Sequence, residues 1–68
     1  ELKERSQILF KAIHKLPDNQ KTAFILSKIE SLSYKEISDI MKTSISSVES
    51  LLFRAKQNLK KELSNFFD

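Results

Sequence analysis

The 68-residue chain contains no cysteine and no glycine, and only one proline and one histidine. Without cysteine there are neither disulfides nor thiolate metal sites, and a reducing, cytoplasmic setting is the natural reading. His14 has no cysteine, histidine or aspartate at ligand spacing, so it reads as an ordinary helix-surface residue rather than a metal ligand. No apolar run approaches membrane-spanning length and no signal peptide is visible, so no membrane partner is expected. Ser44, Ser46, Ser47 and Ser50 have no general base at hand, which favours caps and polar contacts over nucleophilic chemistry. Nothing in the chain suggests a reaction on a substrate. No enzyme activity, cofactor or small-molecule substrate is therefore expected.

What remains is the composition of a small helical protein. Apolar residues make up 40% of the chain, adequate for one core, and a single domain over 1–68 sits near the lower size limit for folding alone. The absence of glycine suits helices joined by short polar turns. Glu1 opens mid-helix by pattern and no Met precedes it, so the chain reads as part of a longer polypeptide.

The pattern predicts four helices. Leu2, Leu9, Ala12, Ile13 and Leu16 line one face of the first, and Pro17 then fits an early position of the second, where its missing amide is harmless. The second runs to about Ile29 with Ala23, Leu26 and Ile29 facing inward, and Glu30, Ser31 and Leu32 form a connection. The third has a clear start: Ser33 and Glu36 form an S-x-x-E capping box. Tyr34, Ile37, Ile40 and Met41 follow at three- and four-residue spacing and give it one apolar face. Lys42, Thr43 and Ser44 make a short turn in which Ser44 caps the fourth helix, a contribution of roughly 1 kcal/mol. So short a turn forces the two helices to cross steeply.

The fourth helix carries an apolar seam of Ile45, Val48, Leu52, Ala55, Leu59 and Leu63. Between the seam residues its first turns are small and polar, able to approach base edges, and its later turns are rich in cations and amides suited to phosphates. Arg54, Lys56, Lys60 and Lys61 lie in a window without an acid, within a chain of formal charge +3 and pI near 9.4. Cationic helix ends are also favoured by the macrodipole alone, so charge by itself does not decide between DNA binding and a solvated face. The turn, the capping box and the seam together point to a C-terminal helix-turn-helix in an all-α domain without winged elements. Phe53 falls between seam residues; it is either exposed for a thymine methyl or sugar, or packed on the third helix. Leu51 would widen the core stripe. Phe66 and Phe67 either dock on the first helix or mark a partner surface.

Ser33–Leu63, with LSYKEISDIM, the turn, S-x-x-x-V-x-S-x-L-F-R-A-K and the upstream Leu16-Pro17, Gln20 and Ala23-Phe24-Ile25-Leu26, resembles region 4 of bacterial sigma factors. The resemblance is to the extracytoplasmic-function (ECF) group and covers nearly the whole chain, firmest from Leu16 to Leu63. It implies a promoter-recognition domain whose last helix enters the major groove of the −35 element. Ser46, Ser47, Glu49, Ser50, Phe53 and Arg54 become candidate base contacts. Tyr34, Lys35, Lys42, Thr43, Ser44, Lys56 and Lys60 become candidate phosphate contacts.

By the same resemblance the first two helices hold the β-flap of the RNA polymerase core, and an anti-sigma protein could cover these surfaces. The location implied is the bacterial cytoplasm, on the nucleoid. The chain departs from the family pattern at Lys42 and Ser46, usually glycine, and at Thr43, usually small and apolar. It departs also at Glu49 and Leu51, where many relatives carry arginine or lysine. Glu49 can accept from a cytosine amino group but repels phosphate, so it is a base reader or a specificity filter. A response-regulator-type output domain uses a similar four-helix unit and would bind DNA as a dimer through its last helix. A helical protein-interaction module without DNA function is a third reading.

Overall fold

The computed structural model describes the backbone of residues 2–67 and the side chains of residues 6–64. The described residues form α1 (Leu2–His14), α2 (Asp18–Phe24), a π-helical turn (Ile25–Ile29), α3 (Tyr34–Met41) and α4 (Ile45–Phe67). They contain no strand, hence no wing. The side chains of Leu2, Phe66 and Phe67 lie outside the described set.

Helix α1 ends by tightening. The Lys15 amide donates to the carbonyls of Lys11 and Ala12, and the Leu16 amide to that of Ile13, so Leu16 leaves the helix and drops into the core at 5% exposure. Pro17 sits at the N-cap of α2, with φ −55° and ψ 150°, rather than inside it. Its carbonyl accepts from the Lys21 amide at 2.9 Å, so the ring removes no helical bond.

At Ile25 the helix widens. The Glu30 amide reaches the Ile25 carbonyl and the Leu32 amide the Leu26 carbonyl, both at 3.0 Å. Each turn then holds more residues than the 3.6 of an α-helix, which rotates the following side chains away from the expected face. Ile29, expected inside, is consequently 51% exposed, while Leu32 is half-buried against the core.

The core has two clusters along α4. Ala12, Ile13 and Leu16 meet Ala55 and Leu59, while Ala23 and Ile37 meet Val48 and Leu52; Phe24 packs against both. Leu51 packs against the second cluster and does widen the stripe. Besides Ile29, four residues expected on apolar faces lie outside: Tyr34, which opens α3, and Leu9, Ile45 and Ile40. Leu9 is exposed because, among the described side chains of α1, the buried ones lie in its last turn, at Ala12 and Ile13. Ile45 is exposed because it opens α4 a turn before the seam meets its neighbours at Val48. Ile40 is exposed because α3 buries Ile37 and Ser38, a stripe centred toward the opposite edge from Ile40. Ser38 is buried at little cost because its hydroxyl donates to the Lys35 carbonyl at 2.7 Å.

Two non-glycine residues, Ser31 (φ 61°) after the π-helical turn and Lys42 (φ 56°) after α3, adopt the left-handed backbone. Each such residue costs about 1–2 kcal/mol relative to right-handed helix. Ser31→Gly is expected to stabilise the domain by about 0.5–1 kcal/mol, the left-handed cost less the extra chain entropy of glycine. Ile37→Ala, at a fully buried position, should cost about 2–4 kcal/mol, a large share of the stability of so small a domain. Urea unfolding midpoints check both.

Candidate nucleic-acid interface

Helix α3 starts as its sequence dictates. The Ser33 hydroxyl accepts from the Glu36 amide at 3.1 Å, and the Glu36 carboxylate accepts from the Ser33 amide at 2.9 Å. It ends in left-handed Lys42, after which the Thr43 amide returns to the Ser38 carbonyl at 3.0 Å. This closure gives the Ser38 carbonyl its partner at the end of α3, and the chain passes into α4 after three residues. Ser44 then caps α4: its hydroxyl accepts from the Ser47 amide at 3.0 Å and donates to Ser47 Oγ at 3.0 Å. The cap starts α4 three residues after α3 ends, and the two helices pack together through Ile37, Val48 and Leu52.

Because Val48, Leu52, Ala55 and Leu59 are buried, the opposite side of α4 faces outward. Ser46, Ser50 and Arg54 are exposed there, with Ser47 half-buried beside them. These four line one open groove together with Thr43 and Leu51, and Asn19 of α2 forms its far rim. Glu49, Ser50, Phe53 and Arg54 line an adjacent shallow depression with Gln57. Phe53 is 62% exposed, which excludes packing on α3. All six expected base-contacting residues therefore fall on two neighbouring hollows of one helix face.

The expected phosphate contacts are more scattered. Tyr34 and Lys42 are exposed, Thr43 is half-buried in the groove, and the Ser44 hydroxyl is engaged in the cap. Lys35 is exposed but forms an ion pair with Asp39 at 2.9 Å, one helical turn away. Such an exposed pair is worth little and opens readily for a phosphate. The basic window of α4 is not a single patch. Lys56 and Lys60 share one side of the helix, whereas Arg54 lies roughly 200° of helical rotation from Lys56 and on the side of Lys61. Among the described residues none of these four cations is in an ion pair; the pairs lie elsewhere, at Lys15–Glu62 and Lys35–Asp39. Also among them, no cluster of His, Cys, Asp or Glu could hold a metal ion, and no helix is long and apolar enough to cross a membrane.

Of the groove and depression residues, Asn19 was not expected from the sequence, and Gln57 was read there only as one of the amides suited to phosphates. Asn19 lies far from α4 in the chain, and Gln57 gave no signal beyond its amide, which suits many surface roles.

With this geometry in place, comparison with known families is decisive. The model of "Sigma-70, region 4" matches residues 6–59. The chain belongs to the sigma-70 region 4 family. Among curated relatives it is 38% identical over 60 residues to the ECF RNA polymerase sigma-E factor of Haemophilus influenzae, covering 88% of this chain and 32% of the relative. It is 42% identical over 57 residues to the ECF RNA polymerase sigma factor SigM of Bacillus subtilis, covering 84% and 35%. It is 39% identical over 54 residues to the ECF RNA polymerase sigma-E factor of Escherichia coli K12, covering 79% and 28%. The region 4 chain thus spans about a third of the length of these relatives. Neither the family match nor the relatives favour the output domain of a response-regulator-type activator.

The cap has a measurable consequence. Ser44→Ala should destabilise this region 4 domain by about 1 kcal/mol and speed hydrogen exchange at the Ser47 amide, with amides in the middle of α4 affected less. Amide exchange followed by NMR reads both.

Proposed function

We propose that this chain recognises the −35 element of promoter DNA as the region 4 domain of an ECF sigma factor, directing transcription initiation by RNA polymerase. The observation that carries the reading is the outward face of α4. Its hydroxyl-rich first turns and Arg54 line one open groove, while its opposite face is locked into the core. A helix held in this way can enter a major groove without giving up packing. Ser46, Ser47, Glu49, Ser50, Phe53 and Arg54 read base edges. Tyr34, Lys35, Lys42, Thr43, Ser44, Lys56 and Lys60 position the duplex. Lys56 and Lys60 meet one phosphate wall of the groove, while Arg54, on the other side of the α4 basic window, faces the bases.

The RNA polymerase core holds the domain through α1 and α2 at its β-flap, and the exposed apolar side chains Leu9 and Phe10 on α1 support a docking role for that region. An anti-sigma protein competes for these surfaces. The domain performs no chemistry; that belongs to the polymerase, in the bacterial cytoplasm on the nucleoid. Tethering to the polymerase supplies the effective concentration that a small interface lacks.

Salt dependence tests the reading. Replacing both Arg54 and Lys56 by Ala should weaken binding, and loss of the Lys56 phosphate contact should lower the slope of log affinity against log salt by about 1. Unchanged binding to promoter DNA with polymerase present would sink it. Glu49 is proposed to accept from a cytosine amino group. Glu49→Ala should then relax selection at a single base pair by about tenfold or more. A uniform rise in affinity for every sequence would instead mark Glu49 as a filter that repels phosphate.

A further inference from the structure

We propose that Asn19 of α2 is an additional positioning residue of the DNA interface, donating from its side-chain amide to a backbone phosphate at the rim of the α4 groove. This rests on the promoter-binding reading above. Asn19 is exposed and shares the groove with Thr43, Ser46, Ser47, Ser50 and Arg54. Its place is fixed from below. Ala23, one helical turn further along α2, is fully buried against Val48 and Leu52 of α4, so the side of α2 that packs on α4 continues outward to Asn19. A second tie lies next to it: Asn58 Nδ2 donates to Gln20 Oε1 at 2.8 Å, joining α2 to α4 across the surface. The rim of the reading groove is therefore built from a second helix that is anchored to the first.

The chemistry selects phosphate over a base. When α4 lies in the major groove, a short side chain on a neighbouring helix meets the sugar–phosphate wall, as other helices of such motifs do. The Asn19 amide can donate to a phosphate oxygen without bringing a charge. No acidic residue lines this groove; Asp18 precedes Asn19 in the chain, and Glu49 lies in the adjacent depression. A neutral donor releases no counterion, so its contribution is independent of sequence and leaves the salt slope unchanged.

The test measures binding of Asn19→Ala, Asn19→Asp and Arg54→Ala proteins, in complex with polymerase core, to a duplex carrying the site selected from randomised sequence. Every single-base-pair variant of that duplex is included, and thermal melting verifies the fold. Asn19→Ala should bind about tenfold more weakly on all duplexes, the value of a hydrogen bond to a charged group, with the salt slope unaltered. Asn19→Asp should bind more weakly still, because its carboxylate repels phosphate. A loss confined to one base pair would make Asn19 a base reader and overturn the proposal. Unchanged binding by Asn19→Ala, with Arg54→Ala weakened, would overturn it and leave the promoter reading standing. Unchanged binding by both Asn19→Ala and Arg54→Ala would overturn both.

Discussion

The seam of Val48, Leu52, Ala55 and Leu59 on α4 is shared between two core clusters, one built with α1 and the other with α2 and α3. Burying that stripe on one side fixes the rotation of α4 about its own axis. The outward face is then determined, and with it the residues that can reach a groove. A seam shifted by one residue would turn Ser46, Ser50 and Arg54 together by roughly 100°, away from the direction in which they now face. Phe24, packed against both clusters, keeps the halves of the core in register.

The lack of glycine gives this architecture a particular character. Two chain reversals need a left-handed residue, and here Ser31 and Lys42 supply it. Their backbone cost is offset locally. Return bonds from the Leu32 and Thr43 amides satisfy carbonyls at the two helix ends, and Lys42 places a cation near the negative end of α3. The reciprocal bonds of Ser33 with Glu36 and the Ser44–Ser47 pair secure the next helix starts. The turn that presents α4 thus consists of three residues, closed by a backbone return bond at the end of α3 and by the Ser44 side-chain cap at the start of α4.

The proposed interface divides labour by helical geometry rather than by sequence order. Residues adjacent in the chain, such as Arg54 and Lys56, lie on different sides of α4, while residues far apart, Asn19 and Arg54, share one groove. A linear basic window is split between a phosphate-facing side and the polar reading face. Among the described residues Glu49 brings the only acidic side chain to the two hollows of that face, where its position beside Phe53 and Gln57 suits selection more than general attraction.

Much of this was legible in the chain by itself, because local physics wrote it there. The Ser33–Glu36 box, the Ser44 cap and the three- and four-residue rhythm of α4 depend on contacts within a few residues, which spacing encodes directly. The family resemblance followed from the same local features. Ile29, Ile40, Ile45 and Leu9 were misplaced because burial depends on where a neighbouring helix ends and on whether a turn widens to π geometry; neither is a property of a short window. The splitting of the basic residues and the arrival of Asn19 at the reading groove were likewise decided only by tertiary structure. They follow from packing α2 against α4 through Ala23, a long-range contact that no local pattern in either helix specifies.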